Sequence, residues 1–173
     1  MAAAWFSTTA AAASDLTFTG YARSREDGRL LYIESHHVHR AGEVGESRIV
    51  LYRCATGGAA FARKQLDYGK VREEPEFSFI DARSGYAEGL RRTAAGLRVY
   101  QQESTAAKRR EAAVPAGTAI VADAGFDEFV RKHWAELETA KTVQFPFLIP
   151  SRLGHLPFKV RKQREATVDG ATS

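Results

Sequence analysis

The sequence predicts a mainly β domain: a strongly curved antiparallel sheet or partial barrel, with one C-terminal amphipathic helix packed on its concave face. Three observations predict it. Short segments rich in Thr, Val and aromatic residues alternate apolar with polar, as half-buried strands do. The connections between them are too short for crossover helices, which forces antiparallel neighbours. One late segment alone switches to helical spacing. A β-sandwich with a helical cap is the runner-up architecture.

Leu16–Ala22 opens the series as a strand, and Arg25-Glu-Asp-Gly28 turns, because Asp-Gly supplies a positive-φ position. Arg29–Arg40 is a long strand, Ala41–Gly45 a turn, and Ser47–Cys54 the next strand. Thr56-Gly57-Gly58 turns into Phe61–Tyr68. Glu76–Asp81, Tyr86–Thr93 and Leu97–Glu103 continue the meander. Ser104–Val114 reads equally as strand or loop, and Ala119–Ala122 as a short strand.

The helix follows Gly125. Phe126, Phe129, Val130, Trp134 and Leu137 recur at the spacing of one face, and Asp127 and Glu128 in the first turn suit the helix dipole. Trp134 is therefore expected to be buried against the sheet. Thr142–Ile149 is a strand whose Pro146 places it at an edge or a bulge. Leu156–Lys162 closes the domain, with Phe158 and Val160 on one face and Lys159 and Arg161 on the other.

Composition bounds the class. At 173 residues, with 44% hydrophobic and 27% charged residues, the chain fits one domain with its own core. No apolar run approaches the roughly 20 residues of a membrane-spanning helix. The domain is read as 15–163, after a signal-peptide remnant at 1–14 and before a disordered tail at 164–173. Ala11-Ala12-Ala13 before Ser14 has the small-x-small form of a signal-peptidase site, though no Lys or Arg precedes it. The competing reading is a flexible Ala-rich arm. The signal reading is preferred and implies a periplasmic or secreted protein.

Asp123–Trp134, Phe145–Arg152 and Phe18–Ala22 together resemble a family of uncharacterised proteobacterial exported proteins. The resemblance spans most of residues 16–162. It implies export and a compact domain, and it carries no activity and no catalytic residues.

Candidate chemistry is sparse. His36-His37-Val38-His39 is the one histidine cluster; His37 and His39 share a strand face, but a third and fourth metal ligand are missing, and Glu34 projects to the opposite face. We expect no metal and no cofactor. The lone Cys54 reads as a small buried apolar side chain. The phosphate-binding and nucleophile-elbow glycine motifs are absent. Basic clusters such as Lys108-Arg109-Arg110 lack the aromatic partners of a nucleic-acid reader, so no nucleic acid is expected.

The aromatic load of the helix and the following strand is the remaining lead. Phe126, Phe129, Trp134, Phe145 and Phe147 are core residues or, alternatively, line a ligand cavity between helix and sheet. The expected function is a non-enzymatic binding or scaffold domain for an apolar small molecule or lipid. The alternative is a hydrolytic or metal-dependent enzyme using the His36–His39 region. A third idea is peripheral contact of the basic C-terminal strand with anionic lipid. Oligomeric state is left open.

Overall fold

The computed structural model describes residues 13–42, 45–164, 167–168 and 171–172. The proposed signal segment lies outside them up to residue 12. Eight strands form one antiparallel sheet in strict sequence order: β1 (Ser14–Arg23), β2 (Leu30–Ala41), β3 (Gly45–Cys54), β4 (Gly57–Tyr68), β5 (Glu76–Asp81), β6 (Tyr86–Thr93), β7 (Gly96–Gln102) and β8 (Arg110–Ala113). A 3-10 turn at Asp123–Gly125 leads into α1 (Phe126–Lys132) and α2 (Trp134–Glu138). β9 (Val143–Ile149) and β10 (Gly154–Val160) make a separate antiparallel hairpin. In the tail, β11 (Thr167–Val168) pairs with β12 (Ala171–Thr172).

The mainly β antiparallel expectation is therefore met, with the sheet open: among the described residues β1 and β8 are its edges, and no closed barrel forms. The undecided stretch Ser104–Val114 yields only β8. Ala119–Ala122 is not a strand of the sheet; Val121 makes one parallel bridge to Phe147. Pro146 sits opposite Pro157 in the hairpin, and its carbonyl accepts the Val121 N–H at 2.8 Å. A proline with no N–H to give is tolerated in such a two-stranded ladder.

The registers sort side chains into two faces. One cross-strand row of the inner face runs Leu16, Val38, Arg48, Leu66, Phe77, Leu90, Val99 and Ala112. The next row runs Phe18, His36, Val50, Lys64, Phe79, Glu88, Gln101 and Arg110. The first row supplies Leu66, Phe77, Leu90 and Val99 to the main core, where Ile120, Ala122 and Leu148 cover them. Val121, Phe129 and Phe145 form a second core, with Phe126, Val143, Phe147 and Val160 packed around it.

Cys54 departs from expectation: it is exposed. It closes β3 where the register with β4 shifts, so the alternation that buries Val50 ends before it.

Candidate functional site

The chain between the sheet and α1 is held to the inner face by few, specific contacts. Lys64 Nζ donates to Asp123 Oδ2 at 2.7 Å, and the Tyr68 hydroxyl donates to the Ala124 carbonyl at 2.7 Å. Gly125 passes so close to the 71–75 loop that a Cβ there would strike the Glu73 carbonyl. Lys132 Nζ donates to Glu73 at 2.5 Å and fixes the far end of α1. Arg72 bridges the two layers, donating at 3.1 Å to both Glu46 of β3 and Glu128 of α1.

These contacts leave a cavity of about 330 Å³ between α1 and strands β1–β4. Leu16, Phe18 and Val38 form its apolar wall, and four guanidinium groups, those of Arg40, Arg48, Arg72 and Arg131, converge on it. The facing acids are three: Glu46, Asp127 and Glu128. The lining thus carries one surplus positive charge. Charged side chains thus dominate the lining, with Leu16, Phe18 and Val38 as the smaller apolar wall.

Glu46 organises the cluster. Its side chain is only 7% exposed, and it accepts from Arg48 at 2.9 Å and from Arg40 at 3.2 Å, besides Arg72. Burial alone would raise its pKa, but these hydrogen bonds outweigh burial and hold the carboxyl below its usual range. Each guanidinium gives Glu46 only part of its five-donor fork. Arg48 Nε is buried with no hydrogen-bond partner among the described residues. Arg72 is raised by its bond to Glu128, so it stays charged throughout.

The aromatic residues singled out from the sequence lie on the other side of α1. Phe129 and Phe145 meet in a tilted pair with centroids 4.4 Å apart; Phe126 is 5.8 Å and Phe147 6.2 Å from Phe145. Phe158 joins them, 4.9 Å from Phe147. A shallow cleft of about 260 Å³ borders Phe129 and Phe145 but not Phe126 or Phe147. Trp134 does not belong to the group: the helix breaks at His133, and the indole is 47% exposed.

The histidines divide. His37 and His39 point to the outer face, and exposed His39 Nδ1 meets Asp15 at 2.7 Å. His36 lies on the inner face, stacked on Phe18 at 4.3 Å, with Nε2 3.0 Å from Glu34 Oε2 and Nδ1 buried without a partner among the described residues. Among the described residues no group of three or more His, Cys, Asp or Glu side chains converges as a metal site would require.

The arginine cluster was missed in the sequence, because Arg40, Arg48, Arg72 and Arg131 form no motif and come from two strands, a loop and the helix. One signal was present. Glu46 and Arg48 alternate in phase with Val50 and Tyr52, so the face that carries the core also carries those charges. No family model matches the chain, and no curated protein and no solved structure matches it either, so the site is read from its own geometry.

Proposed function

We propose that the protein is a non-enzymatic binding domain for a small anionic amphiphile, held between α1 and the inner face of the sheet. The carrying observation is the cavity of about 330 Å³ in which four arginines face three carboxylates beside an apolar wall. A carboxylate, sulfonate or phosphate head would satisfy guanidinium donors that Glu46 leaves unused, in the geometry that arginine recognises best. Leu16, Phe18 and Val38 would take the apolar part. The volume is near the lower end for small-molecule pockets of about 300–1,000 Å³, which suits a medium alkyl chain or a single aromatic ring. The apolar or lipid-like ligand expected from the sequence thus gains an anionic head and moves from the aromatic cluster to the opposite side of the helix.

Calorimetric titration with octanoate is the test. Saturable one-to-one binding is expected, displaced by decanoate and not by decylamine. Arg131→Glu, at a 74% exposed side chain, should weaken binding about tenfold or more without loss of stability. Equal displacement by the amine, or no saturable binding, would overturn the reading.

One observation favours a second reading, a hydrolytic centre. A half-buried carboxylate, Glu34, orients His36 on the inner face at 3.0 Å, the arrangement of a general base and its partner. Hydrolysis of p-nitrophenyl acetate above background, abolished in His36→Gln, would support it; rates unchanged by that substitution would remove it.

A further inference from the structure

The two edges of the large sheet are built differently. β8 spans only Arg110–Ala113, and it carries Arg110 and Glu111; a short, charged edge discourages further pairing. β1 runs ten residues, Ser14–Arg23, without Lys or Pro, and its only register irregularity lies at its end, between Ala22 and Arg23. Among the described residues no strand lies on its outer side. Leu16, Phe18 and Tyr21 on it are 47%, 43% and 61% exposed. A long, regular, apolar edge with open N–H and C=O groups is a template for another strand.

The sequence of β1 says which strand fits. A two-fold antiparallel pairing must set residues of like face opposite each other, so only alternate registers are allowed. With the axis at Thr19, Asp15 lies opposite Arg23 of the second copy, and the symmetry repeats that opposite-charge pair at the other end. Thr17 then faces Tyr21, Leu16 faces Ala22, and the Phe18 ring covers Gly20, the pairing that compensates a bare glycine on an edge strand. Moving the axis to Phe18 sets Phe18 against itself and Asp15 against Tyr21. Moving it to Gly20 sets Thr17 against Arg23 and leaves Asp15 without a charge partner inside the strand. Both charged groups are already placed: Asp15 is anchored by His39 at 2.7 Å, and Arg23 by the Gly28 carbonyl at 3.1 Å.

We propose that the chain self-associates through β1, two copies pairing antiparallel about a two-fold axis at Thr19 to make one continuous sheet. The occupant of this edge is a second copy, because β1 complements itself in charge and in side-chain size in one register.

Sedimentation equilibrium of the 173-residue chain from micromolar to submillimolar concentration tests it. A monomer–dimer equilibrium is expected. Asp15→Arg and Arg23→Asp should each weaken the dimer about tenfold, since each places like charges opposite at both ends. The double variant Asp15→Arg/Arg23→Asp restores the opposite-charge pairs and should recover dimer affinity. In a Cys54→Ser background, Thr19→Cys should cross-link to itself with a short bismaleimide, whereas Thr17→Cys should not. Circular dichroism should show every variant folded, because these side chains lie outside both cores. A chain that stays monomeric throughout, a dimer indifferent to the charge reversals, or a double variant no better than the singles would overturn the proposal.

Discussion

The two sides of α1 meet the rest of the molecule in opposite ways. Toward the β9–β10 hairpin, Phe126 and Phe129 interlock with Phe145, and Phe147 and Phe158 extend the ring cluster. Toward β1–β4, the helix is held by Arg72 and otherwise stands off across a charged cavity. Aromatic packing stabilises through surface removed from water and is indifferent to pH. The ion pairs offset their own desolvation only while every member is charged and in place. The chain thus anchors its helix on the dry side and leaves room on the charged side, which is how a cavity persists in a small domain without collapsing.

The largest effect should come from breaking the dry side. Phe145 is 6% exposed and touches four other phenylalanines, Phe126, Phe129, Phe147 and Phe158. Phe145→Ala should cost about 3–5 kcal/mol, measured by urea denaturation, since the cluster has little freedom to refill the void. A cost below about 1 kcal/mol would mean the rings are not packed against one another, and the contrast between the two sides would vanish.

The charged side should respond less, and with a pH signature. Glu46→Gln keeps the shape and one acceptor but removes the charge that gathers Arg40, Arg48 and Arg72. A loss of about 2 kcal/mol at neutral pH is expected, the scale of hydrogen bonds to charged groups. The carboxyl of Glu46 is depressed in the folded state, so its contribution is fully present above the unfolded value of roughly 4.3. It is lost as pH falls through the folded value. Stability of the natural chain should therefore fall more steeply on acidification than that of Glu46→Gln, and the gap between them should close. Parallel pH profiles would show that Glu46 is not held as an anion by the three arginines.

Local chemistry made most of the strand positions and turns legible. Asp27-Gly28 and Gly57-Gly58 mark hairpin turns where the backbone needs positive φ, and Gly28, Gly57 and Gly58 adopt it at 70°, 84° and 93°. Strand alternation then carries Val50, Leu66 and Phe77 into the core of the structure. Alternation fails where pairing itself fails: Cys54 follows a register shift, and Ala119–Ala122 crosses the sheet instead of joining it. The arginine cluster needed long-range knowledge, because Arg72 reaches Glu128 across 56 positions and Glu46 across 26. Of the aromatic residues singled out together, Phe126, Phe129, Phe145 and Phe147 pack against one another and Trp134 does not, since helical spacing and strand alternation are local but the break in the helix is not. Which side of the helix faced the cavity was not written locally.

The smallest effect should come from Trp134, the residue for which helical spacing promised most. The stripe Phe126, Phe129, Val130, Trp134, Leu137 assumes one unbroken helix. The helix instead breaks at His133, whose φ of −100° and ψ of 14° end α1 and start α2. The His133 ring then packs 4.5 Å from Phe129, and Leu137 returns to the interior at 4% exposure. Trp134 is rotated outward to 47% exposure, and no ring contact to it occurs among the described residues. Truncating a surface side chain away from caps and networks changes stability by about 0.5 kcal/mol at most, so Trp134→Ala should be nearly silent in urea denaturation. In a Trp5→Phe background, Trp134 fluorescence should be red-shifted and open to acrylamide quenching. His133→Ala should cost more than Trp134→Ala, because the imidazole holds the packing position beside Phe129. A loss of about 3 kcal/mol on Trp134→Ala, with blue-shifted, protected emission, would mean the helix runs through His133 unbroken and the indole belongs to the dry side.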